Sequence, residues 1–469
     1  MRKSLIAVIA GALLAGCTVG PNYQRPAIPP PANFRAPEGT PASGSASVGD
    51  LKWFEVFKDE KLQELVRTAL AQNYDIRDAV ARVDAASAQL GVTRSNQYPN
   101  VGAGADISTV RLSRNGQTPL PASFVPSQNR TFGGATLDLL SFEVDIWGRL
   151  RRATEAARAN LLGAEENRKA VMTTLVSEVA SNYFSLRELD YQLEISQRTL
   201  ATRQDSLRLI QNRQAGGVAT LLDLRQGEQL VYTASETIPT LQQQIEQTEN
   251  QISLLLGKNP GEVLRGRSLT EQEMPPDVPA GLPSALLERR PDIRAAEQNL
   301  IAANAEIGVA KAAYFPQISL SGFLGGQGTQ LASLFSGPSA VWNFTPQVTQ
   351  PIFTAGRLKS EVRLSQAQRE IALIQYEKTI QTAFTEVSNA LIAHQRVRES
   401  RVQQELLVAA LQDRTRLAYV RYTGGVDTLL NALDSDRDLF QAELTLSQIR
   451  LNELDSVVQL YKALGGGWQ

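Results

Sequence analysis

Much of what enzymes commonly rely on is scarce in this chain. Its 469 residues include one cysteine, Cys17, and one histidine, His394. His/Cys zinc sites, Cys-His dyads and disulfide frameworks within one chain are therefore excluded. An excess of charge is lacking too: 47 Lys+Arg stand against 48 Asp+Glu, a formal net charge of −1. A nucleic-acid binder would carry a basic surplus, so no nucleic-acid partner is expected. Aromatic residues make up only 6%, lean for large compact cores. No nucleophile–base pair stands out, and the chain does not read as an enzyme. Three methionines and one histidine lend no support to a dedicated copper or silver route, and no metal site is expected.

Proline is absent from two long windows, 127–238 and 352–469, although the chain has 22 in all. Those windows are rich in Ala, Leu, Gln, Arg and Glu, as long helices require. Apolar spacing agrees: Tyr376, Ile380, Ala383, Val387, Ala390, His394 and Val397 alternate steps of four and three, as do Leu439, Ala442, Leu446 and Ile449. This is a coiled-coil habit, and it makes His394 a packed seam residue. Pro239 is expected to kink its helix. Prolines crowd instead between Pro21 and Pro41, an extended strap, and between Pro260 and Pro291, a non-helical mid-chain segment.

The N-terminus reads as an address. Arg2 and Lys3 precede an apolar run from Leu5 to Leu14, and Leu14-Ala15-Gly16-Cys17 follows. That order describes a secretory signal peptide. The run is too short for a bilayer, which takes about 20 apolar residues. The Leu-Ala-Gly-Cys ending resembles the lipobox of bacterial lipoproteins, whose cysteine is acylated and becomes the first residue. The resemblance implies an S-diacylglycerol and an N-acyl chain on Cys17, with no other cofactor. Thr18, where an aspartate would imply retention at the inner membrane, implies delivery to the outer membrane.

The chain also repeats itself. Tyr74-Asp75-Ile76-Arg77 returns 217 positions on as Pro291-Asp292-Ile293-Arg294, and Leu90-Gly91-Val92 as Ile307-Gly308-Val309. Further along the offset is 208: Gly148-Arg149-Leu150 matches Gly356-Arg357-Leu358, Gly216-Gly217-Val218 matches Gly424-Gly425-Val426, and Leu256-Gly257 matches Leu464-Gly465. The offset falls by nine between Pro99 and Gly148, so the first half carries an insertion there, as at a loop tip.

Between these anchors the period changes from helical to two. Ala340, Trp342, Phe344, Val348 and Ile352 alternate with polar Asn343, Thr345, Gln347 and Thr349. Leu140, Phe142, Val144 and Ile146 alternate with Ser141, Glu143 and Asp145, and Ile318 and Leu320 with Ser319 and Ser321. With an outer-membrane address, such alternation describes transmembrane β-strands, lipid on one side and a wet lumen on the other. Asp106, Glu143 and Asp145 would face that lumen and favour cations mildly. The glycine-rich stretch Gly322 to Gly328 reads as strand and turn, because no helix follows it in the phosphate-binding manner.

The organisation expected is a signal peptide at 1–16, a lipidated strap and equatorial segment at 17–57, a first repeat at 58–257, an equatorial linker at 258–283, a second repeat at 284–465 and a tail at 466–469. Each repeat holds a helix, a β-hairpin (about 100–147 and 317–353), a long helix, a turn (213–222 and 421–430) and a helix. The long helices, 149–214 and 357–421, would each reach roughly 100 Å at 1.5 Å per residue. Four strands cannot close a barrel, since single-chain barrels start at about eight. Open edges are not tolerated in lipid, so several copies must share one barrel.

Cys17-Thr18-Val19-Gly20-Pro21-Asn22-Tyr23-Gln24-Arg25-Pro26, the duplicated helical halves and Tyr422-Thr423-Gly424-Gly425-Val426-Asp427 together resemble the TolC-like outer-membrane efflux lipoproteins of the NodT/OprM type. The resemblance covers essentially the whole chain. It implies an α+β membrane protein, internally duplicated, whose four transmembrane strands per protomer join a shared trimeric 12-stranded barrel continuous with a long α-helical periplasmic barrel. It implies a passive exit duct for drugs or other small molecules, served by a periplasmic membrane-fusion adaptor and an inner-membrane RND pump. It also implies a gate at the periplasmic tip. The matching positions are Asp434 and Tyr422, with Arg421 beside the latter, and Asn431 falls where the family often has a second aspartate. Asp223 is the weaker counterpart in the first-half turn. Repeated three times about one axis, Asp434 would oppose tight closure by like-charge repulsion. Gly216, Gly217, Val218, Gly424, Gly425 and Val426 form the turns that would meet the adaptor. The competing readings are the exit duct of a type I protein secretion system and a periplasmic structural lipoprotein without a pore.

Overall fold

The computed structural model describes residues 18–37, 47–111, 129–273, 281 and 283–467. Cys17, the expected signal peptide at 1–16 and residues 112–128 lie outside the described residues. The helices are α1 (Trp53–Val56), α2 (Glu60–Gln72), α3 (Tyr74–Ser95), α4 (Arg149–Ala215), α5 (Leu221–Leu255), α6 (Pro283–Arg289), α7 (Pro291–Ala312), α8 (Arg357–Thr423) and α9 (Leu429–Ala463). The strands are β1 (Val101–Arg111), β2 (Asn129–Glu143), β3 (Gln317–Gly328) and β4 (Ala340–Thr349).

The duplication is exact in the lengths of three helix pairs. α4 and α8 each run 67 residues, α5 and α9 each 35, and α3 and α7 each 22. Even a single hydrogen bond repeats with different chemistry. Asn73 Nδ2 donates to Leu255 O at 2.9 Å, and Arg290, its mate 217 positions on, donates to Ala463 O at 3.0 Å. α5 runs on through Pro239 as one helix. Among the described residues no helix is long and apolar enough to cross a membrane.

The chain divides into two units, the first comprising Met1–Pro26, Val83–Gly163 and Ala296–Tyr376. It holds one antiparallel sheet in the order β1-β2-β3-β4. Facing residues across a ladder share a side of the sheet. Val101–Leu139, Ala103–Leu137, Leu137–Leu324, Leu324–Trp342 and Gly322–Phe344 put one apolar side together. Thr136–Gly325, Ser319–Gln347, Ser321–Thr345 and Phe323–Asn343 make the other side mostly polar, with Asp106 and Asp138 on it. The alternation does not keep one phase along β2. The register shifts between Leu139 and Phe142, where one residue of β3, Ser321, faces two of β2, Leu140 and Ser141. This bulge moves the apolar positions from odd to even numbers, and the adjacent pair Leu139-Leu140 is its trace in the sequence.

The same unit seats the strap. Val19 N donates to Trp147 O at 3.0 Å, and Asn304 Nδ2 donates to Pro21 O at 3.0 Å. Arg152, almost fully buried, donates to Asn22 Oδ1 at 2.7 Å. Tyr23 Oη and Arg25 Nη2 both donate to the Glu297 carboxylate, at 3.0 and 2.9 Å. Gly20 lies against Gly308 so closely that a Cβ on Gly20 would stand 2.5 Å from Gly308 Cα. Gly20, Asn22, Tyr23 and Arg25 of the strap motif are thus contact residues.

The second unit comprises Ala27–Arg82, Ala164–Ala295 and Glu377–Gln469. Its polar hub is Asp59, the N-cap of α2, which accepts from Lys61 N and Leu62 N. It also accepts from Tyr183 Oη, Arg267 N and Gln272 Nε2, each at 2.9 Å. Buried Phe57, Leu62 and Phe184 line one cavity with it, and Tyr461, edge-on against Phe57, donates from Oη to Leu51 O at 2.9 Å. His394 sits on its helical seam with Nδ1 2.9 Å from Ser456 Oγ.

Candidate functional site

The two interhelical turns belong to the second unit. Each ends its helix by the same device. Gly217 and Gly425 take φ of 71° and 74°, a left-handed conformation that a Cβ penalises. Val218 N donates to Arg213 O at 2.8 Å and Val426 N to Arg421 O at 3.1 Å, while Gly217 N and Gly425 N reach Gln214 O and Tyr422 O. These are Schellman closures, which satisfy carbonyls that a helix end would otherwise leave bare. Val218 and Val426 remain exposed at the turns, with Leu221, Leu222 and Leu430 nearby in sequence and also exposed.

The turns differ in how they start the next helix. In the first, Thr220 and Asp223 form a reciprocal capping box: Thr220 N donates to Asp223 Oδ2 at 2.7 Å and Asp223 N to Thr220 Oγ1 at 3.1 Å. Asp223 is therefore engaged as a cap. In the second, Thr428 makes no side-chain cap, and Asp427 gathers the donors instead. Asp427 accepts from Arg421 Nε at 3.0 Å, Asn431 Nδ2 at 2.7 Å and Thr428 N at 2.8 Å. The Arg421 hydrogen bond first, then Asn431 and Thr428, hold its carboxyl below the usual range. Arg421 and Asn431 thus meet at Asp427.

Tyr422 points the other way, into a buried cluster with Ile210, Ala418, Leu429, Ala432 and Leu433. The Arg213 guanidinium covers its ring at 4.6 Å from the centroid. Asp434, half exposed, pairs with Arg437 at 3.3 Å on its own helix. Among the described residues no hydrogen bond or ion pair joins Asp434 to Tyr422, Arg421 or Asn431.

Sequence reasoning missed the most buried charges nearby. Arg203 Nε donates to Asp436 Oδ2 at 2.7 Å, with side-chain exposures of 2% and 8%. Arg203 also donates to Leu230 O at 3.0 Å and lies over the Phe440 ring at 4.9 Å. Tyr419 packs close by, its hydroxyl accepting from Ser206, and burial pushes its pKa up. The signal was available: Ser196, Thr199, Arg203, Ser206 and Ile210 step by three and four, placing Arg203 on a seam. At the sheet's end Glu143 pairs with Arg149 at 2.6 Å and Asp145 with Arg151 at 3.3 Å. The carboxylates expected to favour cations there are therefore largely balanced, leaving Asp106 and Asp138 on the polar side. Among the described residues no group of three or more His, Cys, Asp or Glu is placed to hold a metal.

A duplicated chain with an amphipathic four-stranded sheet and 67-residue helices matches a known family over most of its length. The model for the outer membrane efflux protein family aligns with residues 65–258 and 282–466, and the chain belongs to that family of bacterial outer-membrane channels. Among its relatives, the antibiotic efflux pump outer membrane protein ArpC of Pseudomonas putida is 39% identical, over 100% of this chain and 96% of that one. The cation efflux system protein CusC of Escherichia coli is 34% identical over 97% of each chain. The open-state structure of the MtrE outer membrane channel of Neisseria gonorrhoeae superposes with a TM-score of 0.87 at 31% identity, covering 97% of this chain and 99% of that one.

Proposed function

We propose that the protein is the outer-membrane channel of a tripartite efflux system, a passive duct formed by three copies. The observation that carries this is the sheet: one side apolar, one polar, and β1 and β4 each with an edge unpaired among the described residues. Lipid cannot satisfy those edges, and three copies of four strands close a 12-stranded barrel. Below it the paired helices of each repeat would wall a periplasmic passage. An adaptor and an inner-membrane RND pump would deliver cargo, with the adaptor gripping the exposed Gly216-Gly217-Val218 and Gly424-Gly425-Val426 turns.

Cys17, lipidated, would anchor the strap to the outer membrane. Two relatives bear different cargoes in their names, antibiotic and cation. That spread supports a duct whose pump does the choosing. In this reading the tip opens by loosening helix ends and involves no bond chemistry. Arg421, Asp427 and Asn431 hold the second turn, Tyr422 locks it to α4, and Asp434 lines the aperture. Asp223 stays with its cap and contributes least.

The test is the mass of the full-length protein in mild detergent, by light scattering with the detergent subtracted. Three protomers are expected, followed by single-channel conductance in planar bilayers and restored drug efflux in a deletion strain. A stable monomer overturns the duct.

A further inference from the structure

The two hairpins differ in charge. Between Arg94 and Arg149 the first repeat carries Asp106, Arg111, Asp138, Glu143 and Asp145, among others. Between Lys311 and Arg357 the second repeat carries no charged residue at all. The helix ends that bracket this uncharged stretch are basic: Lys311 in the last turn of α7, and Arg357 and Lys359 in the first turn of α8. They lie at the same end of the sheet, since Gln317 faces Thr349 and Gln350 Nε2 donates to Tyr314 O at 3.0 Å. The strap starts at this end as well. Thr18 packs on Gly148 and Gly20 on Gly308, and Lys311 stands one turn past Gly308 on that side of α7.

The second repeat keeps the cations of the first and drops their counter-charges. In the first, Asp145 lies past the end of β2 and caps α4: Arg151 N and Nε donate to its Oδ2 at 2.9 and 3.3 Å. Glu143 pairs with Arg149 beside it. At the offset of 208 the two arginines become Arg357 and Lys359, but the two carboxylates become Pro351 and Phe353. Arg357 turns to Glu361 at 2.6 Å. Lys359 is exposed, and among the described residues neither it nor Lys311 makes a hydrogen bond or ion pair. Ile352 and Phe353 are the most exposed large apolar side chains among the described residues, at 97% and 88%. Lysines without counter-charge beside bare apolar side chains, at the border of a membrane sheet, fit a ligand that brings both an anion and hydrocarbon. We propose that this border binds phospholipids with an anionic headgroup, their phosphates on Lys311 and Lys359 and their acyl chains against Ile352 and Phe353. The phosphate on Lys359 stands where the first repeat has Asp145. A free anion would leave the apolar pair bare, and a neutral lipid would leave the lysines unpaired.

This inference rests on the reading of the sheet as lipid-facing and needs nothing of the gate or the adaptor. The experiment titrates the full-length protein in mild detergent with phosphatidylglycerol, with phosphatidylcholine of the same acyl chains, and with glycerol phosphate, and reads bound lipid by native mass spectrometry. Wild type should take phosphatidylglycerol in preference to phosphatidylcholine, and glycerol phosphate should not compete. Lys311→Gln and Lys359→Gln should each weaken phosphatidylglycerol about fivefold and leave phosphatidylcholine unchanged. Ile352→Ser with Phe353→Ser should weaken both lipids. Lys61→Gln with Lys258→Gln, in the second unit, is the control for net charge and should change neither. Equal binding of the two lipids by wild type, or wild-type binding of phosphatidylglycerol by the folded Lys311→Gln, Lys359→Gln double variant, overturns the site. So does glycerol phosphate competing as well as the whole lipid. Light scattering on the same samples separates the two readings: a three-copy mass without the lipid preference overturns this site and leaves the duct standing, and a one-copy mass with the preference intact does the reverse.

Discussion

Asp59 concentrates more structure than any other carboxylate described. Burial by itself would raise its pKa, but hydrogen bonds from Gln272, Tyr183, Leu62 N and Arg267 N outweigh this and hold it below the usual value. A depressed carboxyl gives stability that is fully present above its unfolded value, about 3.9, and lost as pH falls through the folded one. Asp59→Asn should therefore cost about 2 kcal/mol at neutral pH. The gap to wild type in thermal midpoint should narrow as pH falls below about 4. An equal gap at both pH values would remove the charge from the account. Arg203 and Asp436 make the complementary case. Asp436→Ala leaves a buried guanidinium without its counter-charge and should cost about 3–5 kcal/mol. Changing both to apolar residues of similar volume should recover most of that loss. Conductance read on the same variants tells whether loosening this pair also opens the tip.

At the scale of elements, the two sides of the sheet have different solvents. Leu324→Arg, on the apolar side, should cost about 2–4 kcal/mol, whereas Thr345→Arg on the polar side should cost near zero. Folded yield in the outer membrane and heat modifiability on gels would rank them. Gly425→Ala should weaken the second turn by about 1 kcal/mol through its positive φ alone, since nothing lies within 4 Å of a Cβ there. Faster trypsin cleavage beside Arg421 is the expected readout. Helices and strands were readable from period, proline and repeat anchors, because the duplication samples each pattern twice. The β2 bulge was not, since one extra residue inverts the phase without altering composition. Asp427 was visible only as part of a turn motif. Its role depends on Arg421, six residues before it, and Asn431, four after, converging in space, which no linear period reveals.

At the scale of the molecule, Gly20 and Gly308 set an order of events. The strap is the first described segment of the chain, yet its seat is built from Arg152, Glu297, Asn304 and Gly308. Nearly the first two-thirds of the polypeptide must exist before that seat does. Loops of this length close late, because the entropy of bringing distant segments together must be met before their contacts form. The residues made first therefore settle among the last. Until α4 and α7 come together, the N-terminal arm has nothing to hold, and a nascent or arrested chain is recognisable by a strap open to proteases. Docking of the strap is in effect a certificate that both halves of the duplication have folded against each other.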